Sequence, residues 1–168
     1  MKRASTLRSL TVGLALILGT EMSNSQEAAH FTGQVLMVCE HGNVKSLMAA
    51  SYFNELAAAR HLPFHAISRG TAPNSIIVPP PIVDGLRADG FDVSSFQPTA
   101  ITEADVAKAE RVILINTELR SDISIGSKQF EKWTDVPPAS VNYGAARDAL
   151  KTHVRALLDQ MTLNMKRQ

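Results

Sequence analysis

One short stretch of this chain gathers residue types that could do chemistry on an oxyanion: Cys39-Glu40-His41-Gly42-Asn43-Val44-Lys45-Ser46. It holds a thiol, a cation five intervening residues later, and a hydroxyl beside that cation. These are the parts of a nucleophile with an anion-binding shell. Val35-Leu36-Met37-Val38 precedes them, an apolar run without alternation, as in a strand buried on both faces of a parallel sheet. Residues 44–60 follow with five alanines and no Gly or Pro, which predicts a helix. Cys39 thus ends a strand just before a helix begins. Ligands of open α/β sheets bind outside the carboxyl ends of strands. A loop there can turn backbone N–H groups inward, and the helix adds the positive end of its dipole. The same donors would stabilise a thiolate beneath a bound phosphate. Cys39 and Lys45 are therefore candidate catalytic residues. Glu40, His41, Gly42, Asn43, Val44 and Ser46 are candidate substrate-binding residues.

Several of these residues have a plainer reading. A cysteine at a strand end is often a buried small hydrophobe; the polar loop, Lys45 and Ser46 weigh against that here. Ser46 either donates to the thiolate or caps the helix. Gly42-Asn43 can hold positive φ, so the loop can close on itself. Glu40 is tolerable near an anion only if its side chain points away. His41 either orients the loop through a hydrogen bond or lies exposed. Met37 and Trp133 read as core.

The chain has 168 residues and 18.2 kDa, the size of one domain with a modest tail. Hydrophobic residues make up 45% and charged residues 20%, which is globular composition rather than disorder. Seventeen basic and sixteen acidic residues give a net charge of +1, which argues against a strongly basic nucleic-acid binder. A single cysteine excludes an internal disulfide framework and a cysteine-rich zinc site. His30, His41, His61, His65 and His153 show no metal-ligand spacing.

Residues 1–25 are expected to be a signal peptide. Lys2, Arg3 and Arg8 precede the apolar run Leu10 to Gly19, and Ser23 and Ser25 suit the −3 and −1 positions of a cleavage site. The run is short for a bilayer core of about 30 Å. An uncleaved amphipathic arm or an anchor helix is the alternative, while the lack of a following cysteine excludes a lipoprotein anchor. Cleavage would leave 143 residues of net charge −1, with 26–33 a linker and 34–168 the domain. The expected location is periplasmic or secreted, with no stable membrane anchor after processing. A lone thiol in such an oxidising place calls for a reason.

Further along, Phe64 to Ile67 predicts a second strand, followed by Ser68-Arg69-Gly70-Thr71. Residues 72–81 form a Pro-containing loop, and Pro81 opens a helix to Ala88 with Gly90 as its stop. Another helix starts at Glu103, capped by Thr102. Val112 to Ile115 is a third buried run, and 120–129 read as surface loop. Ala146, Leu150, Val154, Leu157, Met161 and Met165 trace one face of a long terminal helix. Alternating strands and helices predict a three-layer α/β/α sandwich with right-handed crossovers and a parallel sheet of about four strands.

With these motifs in order, the sequence resembles the low-molecular-weight protein tyrosine phosphatases and the related thioredoxin-type arsenate reductases. Their signature V-C-x-G-N-x-C-R-S is similar to Val38 through Ser46, their S-A-G-T to Ser68 through Thr71, and their L-x-x-x-G-I-D to Leu86 through Val93. The likeness runs on through Trp133 to Pro138 and the terminal helix, covering nearly all of residues 33–165. The cysteine-to-cation spacing is kept, but Gly-Asn sits one place later, the arginine is Lys45 and the second loop cysteine is Val44. Arginine offers a planar fork for two phosphate oxygens, whereas lysine is a single point charge.

The resemblance implies a cysteine-dependent phosphomonoesterase acting on a phosphorylated protein or a small phosphate ester, without metal or other cofactor and without nucleic acid. The family takes its general acid from W-D-x-P-D-P, where this chain has Trp133-Thr134-Asp135-Val136-Pro137-Pro138. Asp135 is the candidate acid. It otherwise matches the family's first, non-catalytic aspartate, or simply caps a turn. Tyr143 either lines the entrance or is structural. Arg69 either adds positive potential near the loop or is a solvated surface residue. Two further functions stay open: a non-catalytic oxyanion or phosphoprotein-binding module, and an arsenate reductase fed by an external thiol.

Overall fold

Val35 to Val38 have no solvent exposure, and the strand they form, β1 (Gly33–Cys39), runs through the middle of the sheet. A computed structural model describes residues 33–127 and 129–167. The expected signal segment and nearly all of the expected linker lie outside them. After β1 come α1 (Lys45–Ala59), β2 (Phe64–Gly70), α2 (Pro80–Ala88), α3 (Glu103–Lys108), β3 (Ala109–Ile115), β4 (Gln129–Trp133) and α4 (Tyr143–Met165). The sheet is parallel throughout in the order β2-β1-β3-β4. Its register sets Cys39 opposite Gly70 and Val38 opposite both Arg69 and Leu114.

Side chains alternate across a strand, so β1 and β3 feed two cores. Val35, Met37, Cys39, Ile113 and Ile115 pack with α1, α2 and α4, and Trp133 sits in this larger core. Leu36, Val38, Val112 and Leu114 pack with Ile101 and Val106, covered by α3 and by Leu119, Ile123 and Ile125. The three layers are thus unequal, with three helices on one face and one six-residue helix on the other.

The α2 start shows why three prolines are tolerated there. Pro79 is the N-cap and Pro80 and Pro81 fill the first turn, where no N–H partner is missed. Thr102 and Asp105 form a reciprocal capping box on α3. On α4, Ala146, Leu150, Val154, Leu157 and Met161 are buried as their spacing predicts, but Met165 is exposed because the helix has run past the core. The fourth strand, β4, overlaps the end of the expected surface loop. Only its Trp133 is buried, so it has no apolar run to announce it.

Candidate active site

β1 brings Cys39 to its carboxyl end and α1 starts at Lys45, so residues 40–44 must turn the chain within one loop. The tightest point is a crossing of two backbones. A Cβ on Gly42 would lie 2.6 Å from the Gly70 nitrogen, and one on Gly70 would lie 2.7 Å from the His41 carbonyl carbon. Gly42 also has φ +73°, which glycine adopts freely. Both glycines are therefore required by contact, and the loop is pinned to the end of β2. Thr71 N–H donates to Cys39 O at 3.0 Å and Ala72 N–H to Glu40 O at 2.7 Å, which fixes its first two residues.

Ser46 does not cap the helix. Val44 is the N-cap and makes no side-chain cap bond, while Ser46 Oγ lies 3.0 Å from Cys39 Sγ. Behind it, Ser68 Oγ reaches Ser46 Oγ at 2.8 Å and Gly42 O at 3.0 Å. All three side chains are buried. A carbonyl only accepts, and each hydroxyl has one proton. Ser68 is the donor to Ser46, so the Ser46 proton is free to be directed to Cys39 Sγ. With the thiolate, Ser46 donates to sulfur, while Ser68 shares its one proton between Ser46 Oγ and Gly42 O. Among the described residues, none of the backbone–backbone hydrogen bonds outside the strands and helices uses an N–H of residues 40–45. These donors are left for water or an anion.

Beside the loop lies a cavity of about 260 Å³. Its wall includes Cys39, Glu40, His41, Asn43, Val44 and Lys45, then Pro79, Pro81 and Ile82 of α2 and its entry. Ile115 and Asn116 from the end of β3 and Pro138, Ala139 and Ser140 after β4 complete it. The wall is mostly apolar, as suits a site that desolvates a small ligand. Lys45 Nζ donates to Asn116 Oδ1 at 2.9 Å. Burial lowers the Lys45 pKa below the usual lysine value, against the opposing pull of Cys39 and Glu40. His41 Nδ1 lies 3.0 Å from Ala72 O and so carries the ring proton in that contact, leaving Nε2 to face Asn74 Nδ2 at 3.4 Å. His41 is thus a loop-orienting residue. Glu40 is on the wall, but its side chain is 68% exposed at the mouth. Asn43 is buried; its Nδ2 donates to Ile77 O at 2.9 Å and its Oδ1 has no partner.

Asp135 is not brought to this cavity. It is absent from the wall, and its Oδ1 accepts from His153 Nε2 at 2.7 Å. That hydrogen bond lowers its pKa below the usual carboxylate value, the opposite of what a proton donor needs. His153 itself stacks on Trp133, with centroids 4.8 Å apart. Where the loop does reach the cavity it presents Pro138, Ala139 and Ser140. In this arrangement Asp135 is turned to His153 and lies off the cavity wall.

Tyr143 is structural. Its hydroxyl donates to Asp89 Oδ2 at 2.8 Å, beside Tyr52, whose hydroxyl donates to the same oxygen at 2.7 Å. Burial, with help from Asp89, pushes Tyr143 up to about 12. Arg69 fits neither expectation. Its guanidinium grips both oxygens of Asp105 at 2.9 and 3.1 Å and ties β2 to α3. Asn116 carried no signal in the sequence, because its role depends on β3 and β4 lying side by side.

No protein-family model and no curated protein sequence matches this chain. Solved structures do. The YfkJ protein of Bacillus subtilis superimposes with a TM-score of 0.70 at 22% identity, covering 79% of this chain and 96% of its own. A low-molecular-weight protein tyrosine phosphatase of T. tengcongensis gives 0.68 at 21%, covering 77% of this chain and 99% of its own. A thioredoxin-dependent arsenate reductase of Corynebacterium glutamicum gives 0.65 at 20%, covering 79% of this chain and 63% of its own. The fold is the one shared by low-molecular-weight protein tyrosine phosphatases and thioredoxin-dependent arsenate reductases.

Proposed function

We propose that this protein is a cysteine-dependent phosphomonoesterase that works best on esters with good leaving groups. The reading rests chiefly on Cys39 Sγ set 3.0 Å from Ser46 Oγ at the foot of a cavity that Lys45 also lines. Phosphate would sit in the loop of residues 40–45, against its N–H groups and the Lys45 ammonium. The Cys39 thiolate attacks phosphorus, an S–P bond forms, and the P–O bond to the leaving group breaks with its electron pair going to oxygen. Water then attacks phosphorus, the S–P bond breaks, and inorganic phosphate and the thiolate are released. The loop donors and Lys45 stabilise the charge on the equatorial oxygens. No side-chain carboxyl from the 134–142 loop stands ready to protonate the leaving oxygen, so a leaving group stable as an anion is favoured. Export behind a cleaved signal at residues 1–25 belongs to the same proposal.

The test is hydrolysis of para-nitrophenyl phosphate by purified protein and its Cys39→Ser variant. Steady turnover that the variant abolishes is the expected result. A second reading, an oxyanion-binding module, is favoured by Pro138 at the wall where an acid would serve. Phosphate binding without turnover in the wild type selects it. Arsenate turnover that depends on an added thiol would instead select the reductase.

A further inference from the structure

We propose that Asn116 is a positioning residue that holds the Lys45 ammonium toward an oxyanion in the 40–45 loop, restoring the directionality a lysine lacks. The proposal rests on the oxyanion-binding part of the reading above. A lysine is a point charge on a flexible four-carbon stem, and its three donors have no fixed fork. Here one of them is fixed: Nζ donates to Asn116 Oδ1 at 2.9 Å, its one hydrogen-bond partner among the described residues. Two N–H groups remain for an anion, and both residues line the same cavity.

Asn116 is itself held from two sides. Its backbone N–H donates to Trp133 O at 2.9 Å, and its Nδ2 donates to Thr134 O at 2.8 Å. This settles the amide orientation. A flipped amide would set Oδ1 against a carbonyl and NH2 against an ammonium, losing both bonds. The backbone has φ +49°, a left-handed conformation that asparagine tolerates better than most residues. Asn116 also differs from a carboxylate in a useful way. A neutral acceptor fixes the ammonium without cancelling its charge, so the full positive charge stays available to the anion. An aspartate there would form an ion pair with Lys45 and compete with phosphate.

The test is a double-mutant cycle on the full-length protein, read as the dissociation constant of inorganic phosphate by NMR titration. Asn116→Gly accommodates the positive φ and removes the amide. It should weaken phosphate binding about tenfold, the scale of one hydrogen bond to a charged group. In a Lys45→Ala background the same change should have no further effect. An equal loss in both backgrounds would mean Asn116 acts through the 134–142 loop and would overturn the proposal. So would unchanged affinity in Asn116→Gly while Lys45→Ala is weakened. A wild type that does not bind phosphate, or a Lys45→Ala variant that binds as well as wild type, refutes the oxyanion cradle and the proposal with it. Asn116→Asp keeps the side-chain shape should Gly fail to fold. It should weaken phosphate more than tenfold, and unchanged affinity would again overturn the proposal.

Discussion

Two loops line the cavity, and they are held very differently. The one after β1 is over-determined: a glycine-on-glycine crossing, two backbone bonds to residues 71–72, and the Cys39–Ser46–Ser68 contacts all fix it. The one after β4 reaches the cavity with Pro138, Ala139 and Ser140, and its single carboxylate, Asp135, turns to His153. On the proposed reading, the loop after β1 supplies the nucleophile and the anion-binding half of a phosphoryl-transfer site, while the loop after β4 brings no carboxyl to the cavity wall. Anion binding depends on several convergent groups and tolerates little drift, whereas an acid is one side chain that a good leaving group makes dispensable.

The strongest way to break this contrast is to disturb the crossing. Gly70→Ala places a methyl 2.7 Å from backbone that cannot swing aside. It should cost about 1–3 kcal/mol of stability in urea unfolding and abolish phosphate binding as well. A well-folded variant that still binds phosphate would show that the crossing does not shape the loop.

Lys45 comes next. Lys45→Ala should lower kcat/KM by about 2–4 kcal/mol of transition-state stabilisation, the scale of one lost oxyanion donor. Lys45→Arg should preserve or raise turnover if the loop leaves room for a guanidinium. The pH profile sharpens the point. On the proposed reading phosphate binds the charged ammonium, and burial lowers the Lys45 pKa. In Cys39→Ser protein, where no thiol titrates, phosphate affinity should fall as pH rises, beginning below the ordinary lysine value of about 10.4. Lys45→Arg should remove that alkaline loss, and a loss that persists would assign it to another group.

Much of this was legible in the sequence. Unbroken apolar runs locate β1 and β3 because a central parallel strand is buried on both faces, and Thr102 and Pro81 mark helix starts through caps and missing donors. The thiol, cation and hydroxyl could be picked out because they share one short loop. What escaped depends on contacts between distant segments. β4 is an exposed edge strand with one buried side chain, and Asn116 meets Lys45 only after β1 and β3 have paired. Arg69 and Tyr143 have partners, Asp105 and Asp89, that spacing does not reveal. Asp135 looked like an acid because its neighbours resemble an acid-bearing motif; its partner His153 lies on α4.

The smallest expected effect belongs to Asp135. Asp135→Asn should leave the turnover of phenyl phosphate and para-nitrophenyl phosphate alike unchanged. In acid, the wild type should lose a little stability that the variant never had. The Asp135 pKa is lowered by the His153 hydrogen bond, so the stabilisation is present above the unfolded carboxyl value and disappears as pH falls through the folded one. A variant that slows phenyl phosphate selectively would restore Asp135 as the acid.

The contrast between the loops is tested most directly by the leaving-group dependence of kcat/KM in the wild-type protein, measured over a series of aryl phosphates of rising phenol pKa. A built nucleophile and anion cradle without a proton donor predicts hydrolysis of the most acidic phenols and a steep decline along the series. A flat series would show that a general acid is at work and contradict the account, and so would the absence of hydrolysis even with the best leaving group.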